Sequence, residues 1–339
     1  MSKLLKRTVF LSLVFAFPSI SIAQDFSKKT INIVVGFSAG GGYDVYSRVI
    51  ARFLPRHIPG QPAVVVQNMP GAGSNKATSF IYSLAPADGT AIGAVAPGAI
   101  VAPLLDPGAG VTFDPTKLIY LGSADSLALT CVTLKSSKVQ SFEDTRTKPS
   151  TFGAVSSGSS TFDYAWLHRK TSNARFEIIS GYPGTSDIAL AMERGEVDGV
   201  CGMDWSSFKS LRPDWLRDKK ANVIVQITPV PNAELNAMDV PEIWKYVDTD
   251  RERKIVELVA AQQLFGRPYI IPPTTPPAIA QTLRLAFEKV LADSDFLQEA
   301  AKVGLSITAI DGNSVQAAVE KMFAAPRDLV DAARGSIKP

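Results

Sequence analysis

Residues 34–44 read VVGFSAGGGYD. An apolar run, residues 31–35, leads into this stretch, and a helix-like pattern, residues 43–54, leaves it. Gly36-Phe37-Ser38-Ala39-Gly40 is a literal G-x-S-x-G between a strand and a helix, the context of a hydrolase nucleophile elbow. The same residues set Gly40, Gly41 and Gly42 before a helix N-terminus, where backbone N–H groups and the helix dipole hold anions. Ser38 therefore belongs either to a nucleophile or to a cradle.

Outward from this stretch the chain alternates strand and helix patterns, which argues for α/β units built on a parallel sheet. Residues 63–67 and 90–95 read as strands, and residues 74–84 as a helix. Two apolar runs, residues 118–122 and 127–134, flank Ser123-Ala124-Asp125-Ser126 and mark a crossing into a second domain. There the alternation restarts, with strands at 151–155, 175–179, 197–201 and 222–227 and helices at 161–170 and 186–194. IPPTTPP (271–277) precedes an amphipathic helix over 278–291, and further helices follow at 293–303 and 314–323. These terminal helices are expected to pack back on the first domain. The expected division is 24–125 with 248–339 as domain 1, and 126–247 as domain 2.

The chain has 339 residues, 46% of them hydrophobic and 20% charged, the profile of a globular chain of two domains. Residues 1–23 read as a signal peptide. Lys3, Lys6 and Arg7 precede a short apolar run, and Ser21-Ile22-Ala23 places cleavage before Gln24. Its removal takes three of 35 basic residues and none of 32 acidic ones, leaving 32 against 32. A balanced chain gives a nucleic-acid partner no electrostatic support. Cys131 and Cys201 are either a disulfide, as an exported chain permits, or two buried thiols. With the two histidines, His57 and His168, they are too scattered to read as a zinc site.

A serine nucleophile needs a histidine base and a carboxylate to orient it. In the hydrolase order the histidine comes late, yet none follows His168, and His57 falls near the far end of the first helix. GFSAGGG also departs from G-x-G-x-x-G, and no acidic residue ends the second strand, so a dinucleotide site is not supported. The cradle reading accounts for more residues. Three further strand-to-helix corners are rich in Gly, Ser and Thr: NMPGAGSNKA (68–77), VSSGSSTFD (155–163) and SGYPGTSD (180–187). In open α/β sheets, ligands bind at such corners. Four corners over two domains point to a small anion held between lobes. Asp44 fits an N-cap or first-turn role and reads as structural rather than catalytic.

At this point the chain resembles the solute-binding receptors of tripartite tricarboxylate transporters, the Bug or TctC-like family. The resemblance rests on Gly41-Gly42-Tyr43-Asp44 with Arg48, on Asn68-Met69-Pro70-Gly71-Ala72-Gly73 after a valine strand, and on Pro86-Ala87-Asp88-Gly89. It continues through Gly195-Glu196-Val197-Asp198 and the proline turn and helix from Pro272 to Leu283. Ser156-Ser157-Gly158-Ser159-Ser160 and Tyr182-Pro183-Gly184 are altered forms of the family's second-domain corners. The resemblance implies a periplasmic binding protein (type II-like) Venus flytrap of two α/β domains. It implies a carboxylate ligand held by backbone N–H groups, hydroxyls and water, which agrees with corners that lack arginine.

The expectation is a non-enzymatic periplasmic receptor for a small carboxylate that delivers it to the membrane permease subunits of such a transporter. No cofactor, metal or nucleic acid is expected. The candidate ligand-binding residues are Phe37, Ser38, Ala39, Gly40, Gly41, Gly42 and Tyr43, with Gly71, Ala72 and Gly73, in the first lobe. In the second they are Ser156, Gly158, Ser159, Ser160, Tyr182, Gly184 and Thr185. Asp204 is read as the N-cap of a helix from Trp205, with a ligand hydroxyl or amine as its alternative partner. A β-branched residue at Gly41 is expected to abolish binding without unfolding the chain. Two other functions stay open at this point: a secreted serine hydrolase using Ser38, and a carboxylate-binding partner of a sensor kinase.

Overall fold

The computed structural model describes residues 25–111, 113–229 and 231–339, so the signal peptide read at 1–23 lies outside the described residues. The first lobe opens with β1 (Thr30–Val35), α1 (Gly42–Phe53), β2 (Ala63–Asn68), α2 (Asn75–Ser83), β3 (Ala91–Ala94), α3 (Pro97–Leu105) and β4 (Ile119–Ser123). The second holds β5 (Leu129–Leu134), α4 (Phe142–Thr147), β6 (Ser150–Ala154), α5 (Ser160–Thr171), β7 (Phe176–Ser180), α6 (Thr185–Glu193), β8 (Gly199–Asp204), α7 (Trp205–Leu211), α8 (Pro213–Arg217), β9 (Ala221–Ile227) and α9 (Ala233–Ala237). The chain then returns through α10 (Asp250–Ala260), β10 (Pro268–Ile271), α11 (Pro277–Ala292), α12 (Ser294–Lys302), β11 (Ile310–Asp311), α13 (Gly312–Phe323) and α14 (Arg327–Ser336).

The strands form two open sheets, ordered β11-β4-β10-β3-β1-β2 and β7-β6-β8-β5-β9. Neither is the all-parallel sheet that the alternation suggests. β10 runs antiparallel to β3 and β4, and β5 runs antiparallel to β8 and β9. The strands that reverse direction flank the crossovers, where the chain leaves one sheet and enters the other.

β-Branched residues make β1 a strand, and Ile31, Ile33 and Val35 are buried completely. α1 turns Tyr46, Val49, Ile50 and Phe53 toward the same core at helical spacing, with Asp44 in its first turn and Arg52 in its last, as the helix dipole favours. Each such side chain gains roughly 1.5–3 kcal/mol from burial. α3 has no counterpart in the sequence reading. It is apolar all round and contains Pro103, so it carries no amphipathic period.

The two crossover segments pair with each other. Ala124 N–H donates to Arg267 O at 3.0 Å, Arg267 N–H to Asp125 O at 3.2 Å, and Leu127 N–H to Gln263 O at 2.8 Å. Cys131 and Cys201, left open by the sequence, are disulfide-bonded between β5 and β8. Among the described residues no helix is long and apolar enough to cross a membrane.

Candidate functional site

A cavity of about 90 Å³ lies between the lobes, several times the space one water requires. Five helices begin at its wall. α1 contributes Gly41, Gly42 and Tyr43; α3, Ala96, Pro97 and Gly98; α5, Ser159, Ser160 and Thr161; α6, Gly184, Thr185 and Ser186; and α7, Asp204 and Ser207. The first N–H groups of a helix have no intrahelical acceptor. Among the described residues no side chain caps α1, α3, α5 or α6, so their N-termini offer backbone donors and positive dipole ends to the cavity. Only at α7 does a carboxylate fill this role: Asp204 accepts from Ser207 N–H at 3.0 Å. Asp204 is thus the N-cap that the sequence favours.

The lobes touch around this space. A Cβ added at Gly98 would lie 2.0 Å from Gly158 O, so only glycine lets α3 approach the second lobe this closely. Ser38 Oγ would lie 3.3 Å from a Cβ at Gly184. Ser157 Oγ donates to Asp106 Oδ2 at 2.6 Å, and Lys338 pairs with the same carboxylate.

Arg267, which the sequence reading did not single out, lines the cavity from the returning crossover. Its guanidinium carbon lies 4.4 Å from the ring centre of Tyr43 and 4.7 Å from that of Tyr46. Nη2 donates to Asp204 Oδ2 and to Ser207 Oγ, each at 2.6 Å. Burial works against its charge, but Asp204 and the two tyrosines hold its pKa above the usual value. The corners do lack arginine, as read from the sequence, but the site does not. Burial, reinforced by Asp204, pushes nearby Asp125 up to about 7. Tyr43 packs on Phe37 at 4.8 Å, donates to Gly266 O, and is pushed up to about 12 by burial.

Of the candidate residues, Phe37, Ser38, Gly41, Gly42, Tyr43, Ser159, Ser160, Gly184, Thr185 and Asp204 line the cavity. Ala39, Gly40, Gly71, Ala72, Gly73, Ser156, Gly158 and Tyr182 are not among its lining residues. The Gly71–Gly73 corner instead meets the other lobe, since a Cβ at Gly73 would sit 3.0 Å from Ser157 O and 3.1 Å from the Gly158 carbonyl carbon. Beyond the candidates, the wall includes the start of α3, Leu127, Leu129, Asp163, Tyr164, Gln262, Gln263 and Arg267. The one local signal for α3 is a proline directly after an apolar strand, at the first helical position.

Neither histidine lines the cavity beside Ser38. His57 Nε2 lies 3.1 Å from Asp293 Oδ2. His168 is packed against Phe142 and Phe176, near the disulfide, and burial pushes it down to about 3. Ser38 thus has neither histidine as a base in this geometry.

Two open α/β sheets joined by paired crossovers, with a cavity between them, make the periplasmic binding protein fold. More narrowly, the fold is that of the TctC and Bug solute-binding proteins. A Rhodopseudomonas palustris protein solved with adipate superposes with a TM-score of 0.71 at 19% identity, covering 91% of this chain and 98% of that one. The periplasmic binding protein BugD gives 0.70 at 18%, with the same coverage. MatC from Rhodopseudomonas palustris, with bound malate, gives 0.65 at 18%, covering 91% and 99%. In sequence, 81 residues are 40% identical to a UPF0065 protein of the gbd 5′ region of Cupriavidus necator. That match spans 24% of this chain and 24% of the relative. No family model matches the chain.

Proposed function

We propose that this chain is a periplasmic receptor that captures a small organic acid and hands it to a tripartite tricarboxylate-type permease. The observation that carries this reading is the convergence of four helix N-termini without side-chain caps, two from each lobe, on one cavity between the lobes. Backbone N–H groups and dipole ends hold a carboxylate without a dedicated counter-ion. Arg267, the one arginine in the wall among the described residues, is already neutralised by Asp204. Donors from both lobes make the closed form the form that binds, and separation of the lobes releases the ligand. The adipate and malate in the structures of similar fold support a carboxylate ligand.

In this reading the lobes divide at 125/126 and 247/248, the site is made of the lining residues above, and export follows cleavage before Gln24. The chain performs no chemistry on its ligand. The test is a thermal-shift screen of the chain from Gln24 against di- and tricarboxylates, aromatic acids and amino acids. A ligand at a hundredfold over its Kd adds roughly 2.7 kcal/mol of stability. A selective rise in Tm with one class of acid is the expected result, and a flat panel on folded protein overturns the reading.

A further inference from the structure

The two lobes carry the same corner device with opposite electrostatics. In the first, Gly40 N–H donates to Asp44 Oδ2 at 2.9 Å, so an aspartate in the first turn of α1 reaches back to close the loop. In the second, Gly158 N–H donates to Asp163 Oδ1 at 2.9 Å, closing the loop before α5. Both aspartates are buried. Asp44 has three further supports: Arg48 Nε and Asn68 Nδ2, each at 2.9 Å, and the charge of Arg48. Burial raises its pKa, but these partners hold it below the usual carboxylate value. Asp163 has none of them. Among the described residues Gly158 N–H is its one hydrogen-bond donor, and Asp163, unlike Asp44, lines the cavity.

Among the described residues no free cation faces Asp163. The charged groups that act on it are Asp106, at the end of α3, and Lys338, at the chain terminus, and those two are paired with each other. Tyr164, next on the same helix, places its hydroxyl on Val259 O and Gln263. Across the cavity Arg267 is committed to Asp204. The remaining polar side chains of the lining, among them Ser38, Thr185, Ser186, Ser207, Gln262 and Gln263, carry no charge. Burial, with Asp106 adding to it, pushes Asp163 up to about 8. A bound anion pushes it further in the same direction.

Resting on the carboxylate-receptor reading, we propose that Asp163 is a specificity-determining residue that acts as a neutral acid. From its second oxygen it donates an O–H hydrogen bond to a ligand carboxylate. Such a bond between a carboxyl and a carboxylate is short and charge-assisted. The site then selects acids that carry no ammonium group, because a neutral carboxyl gives an ammonium no counter-charge. The ligand is held together with one proton on the wall.

Calorimetry on the chain from Gln24 tests this with malate, adipate, aspartate and glutamate as probes. For the tighter of malate and adipate, affinity is level between about pH 6 and about pH 7, where the ligand is fully ionised, and falls about tenfold per pH unit above about pH 8. Asp163→Asn, whose amide donates in every protonation state, binds with an affinity that no longer falls with pH and is level through about pH 9. On the wild type itself, buffers of different ionisation enthalpy report close to one proton taken up per ligand at about pH 9, which needs no variant to fold.

Tighter binding of aspartate or glutamate than of malate and adipate, with a loss of more than about tenfold in Asp163→Asn, makes Asp163 an ionised partner of an ammonium and overturns the proposal. Carboxylate binding that is level with pH, with no proton uptake, overturns it while leaving the receptor reading intact. Failure of every carboxylate to bind the folded wild type overturns both.

Discussion

Arg267 Nη2 donates to Asp204 Oδ2 at 2.6 Å, with both side chains buried and the arginine against Tyr43 and Tyr46. The pair joins the returning crossover of one lobe to the cap of a helix in the other. Removing one member of a buried ion pair leaves an uncompensated charge, at a cost of about 3–5 kcal/mol. Arg267→Ala is therefore expected to lower unfolding free energy by about that amount in urea titrations, and Arg267→Met with Asp204→Asn together by less than the sum of the two singles. Strict additivity in that cycle would show that the contact contributes nothing.

Gly41 and Gly42 are adjacent and answer different questions. A Cβ at Gly41 meets only Ser38 O, at an ordinary 3.6 Å, so a side chain there has room beside the cavity. A Cβ at Gly42 would lie 2.2 Å from Ser207 Oγ and 3.1 Å from Arg267 Nη2. Gly41→Val is expected to keep the wild-type Tm within a few degrees while lowering ligand affinity at least about tenfold, and Gly42→Val to lower Tm itself. Wild-type affinity in Gly41→Val, measured by calorimetry, would place the ligand elsewhere.

Cys131 and Cys201 are 70 residues apart in sequence, and their bond closes most of the second lobe into one loop. In the chain-entropy account a loop of this length restricts the unfolded chain by about 4 kcal/mol. The double variant Cys131→Ala, Cys201→Ala is expected to unfold at lower urea, and addition of reductant to shift the wild type but not the variant. Coincident curves for oxidised and reduced wild type would remove the disulfide from the account of stability.

Stability is expected to fall as pH rises from about 4 to about 8. Asp163 is pushed from 3.8 up to about 8, so across that window the folded state keeps a proton that the unfolded chain releases. Stability then decreases with pH and levels off above the folded value, at up to about 1.4 kcal/mol per pH unit for one group. Asp125, pushed up to about 7, acts in the same direction. His168, pushed down from 6.5 to about 3, opposes them below about pH 6.5, so the net fall is shallower there and steepest between about 6.5 and 7. Asp163→Asn is expected to flatten this slope in denaturant titrations at a series of pH values. An unchanged slope in the variant would show that Asp163 is ionised throughout the window.

The sequence by itself determined what is settled within a few residues. β-Branched runs made β1 and β2, the apolar face over residues 46–53 made α1, and glycine, serine and threonine marked the corners where strands hand over to helices. The cap at Asp204 was legible for the same reason, since its acceptor and donor are three residues apart. Tertiary structure alone decided what meets across the chain. Arg267 and Asp204 are 63 residues apart, and no local pattern announces either as the other's partner. α3 was hidden because a helix buried on every side has no periodic face to read. The corner at Gly71–Gly73 and the corner at Ser159–Thr161 look alike in sequence, yet one packs against the opposite lobe and the other lines the cavity. Local hydrogen-bonding needs are written in neighbouring residues, whereas the placement of one corner against another follows from how two separately built sheets come together.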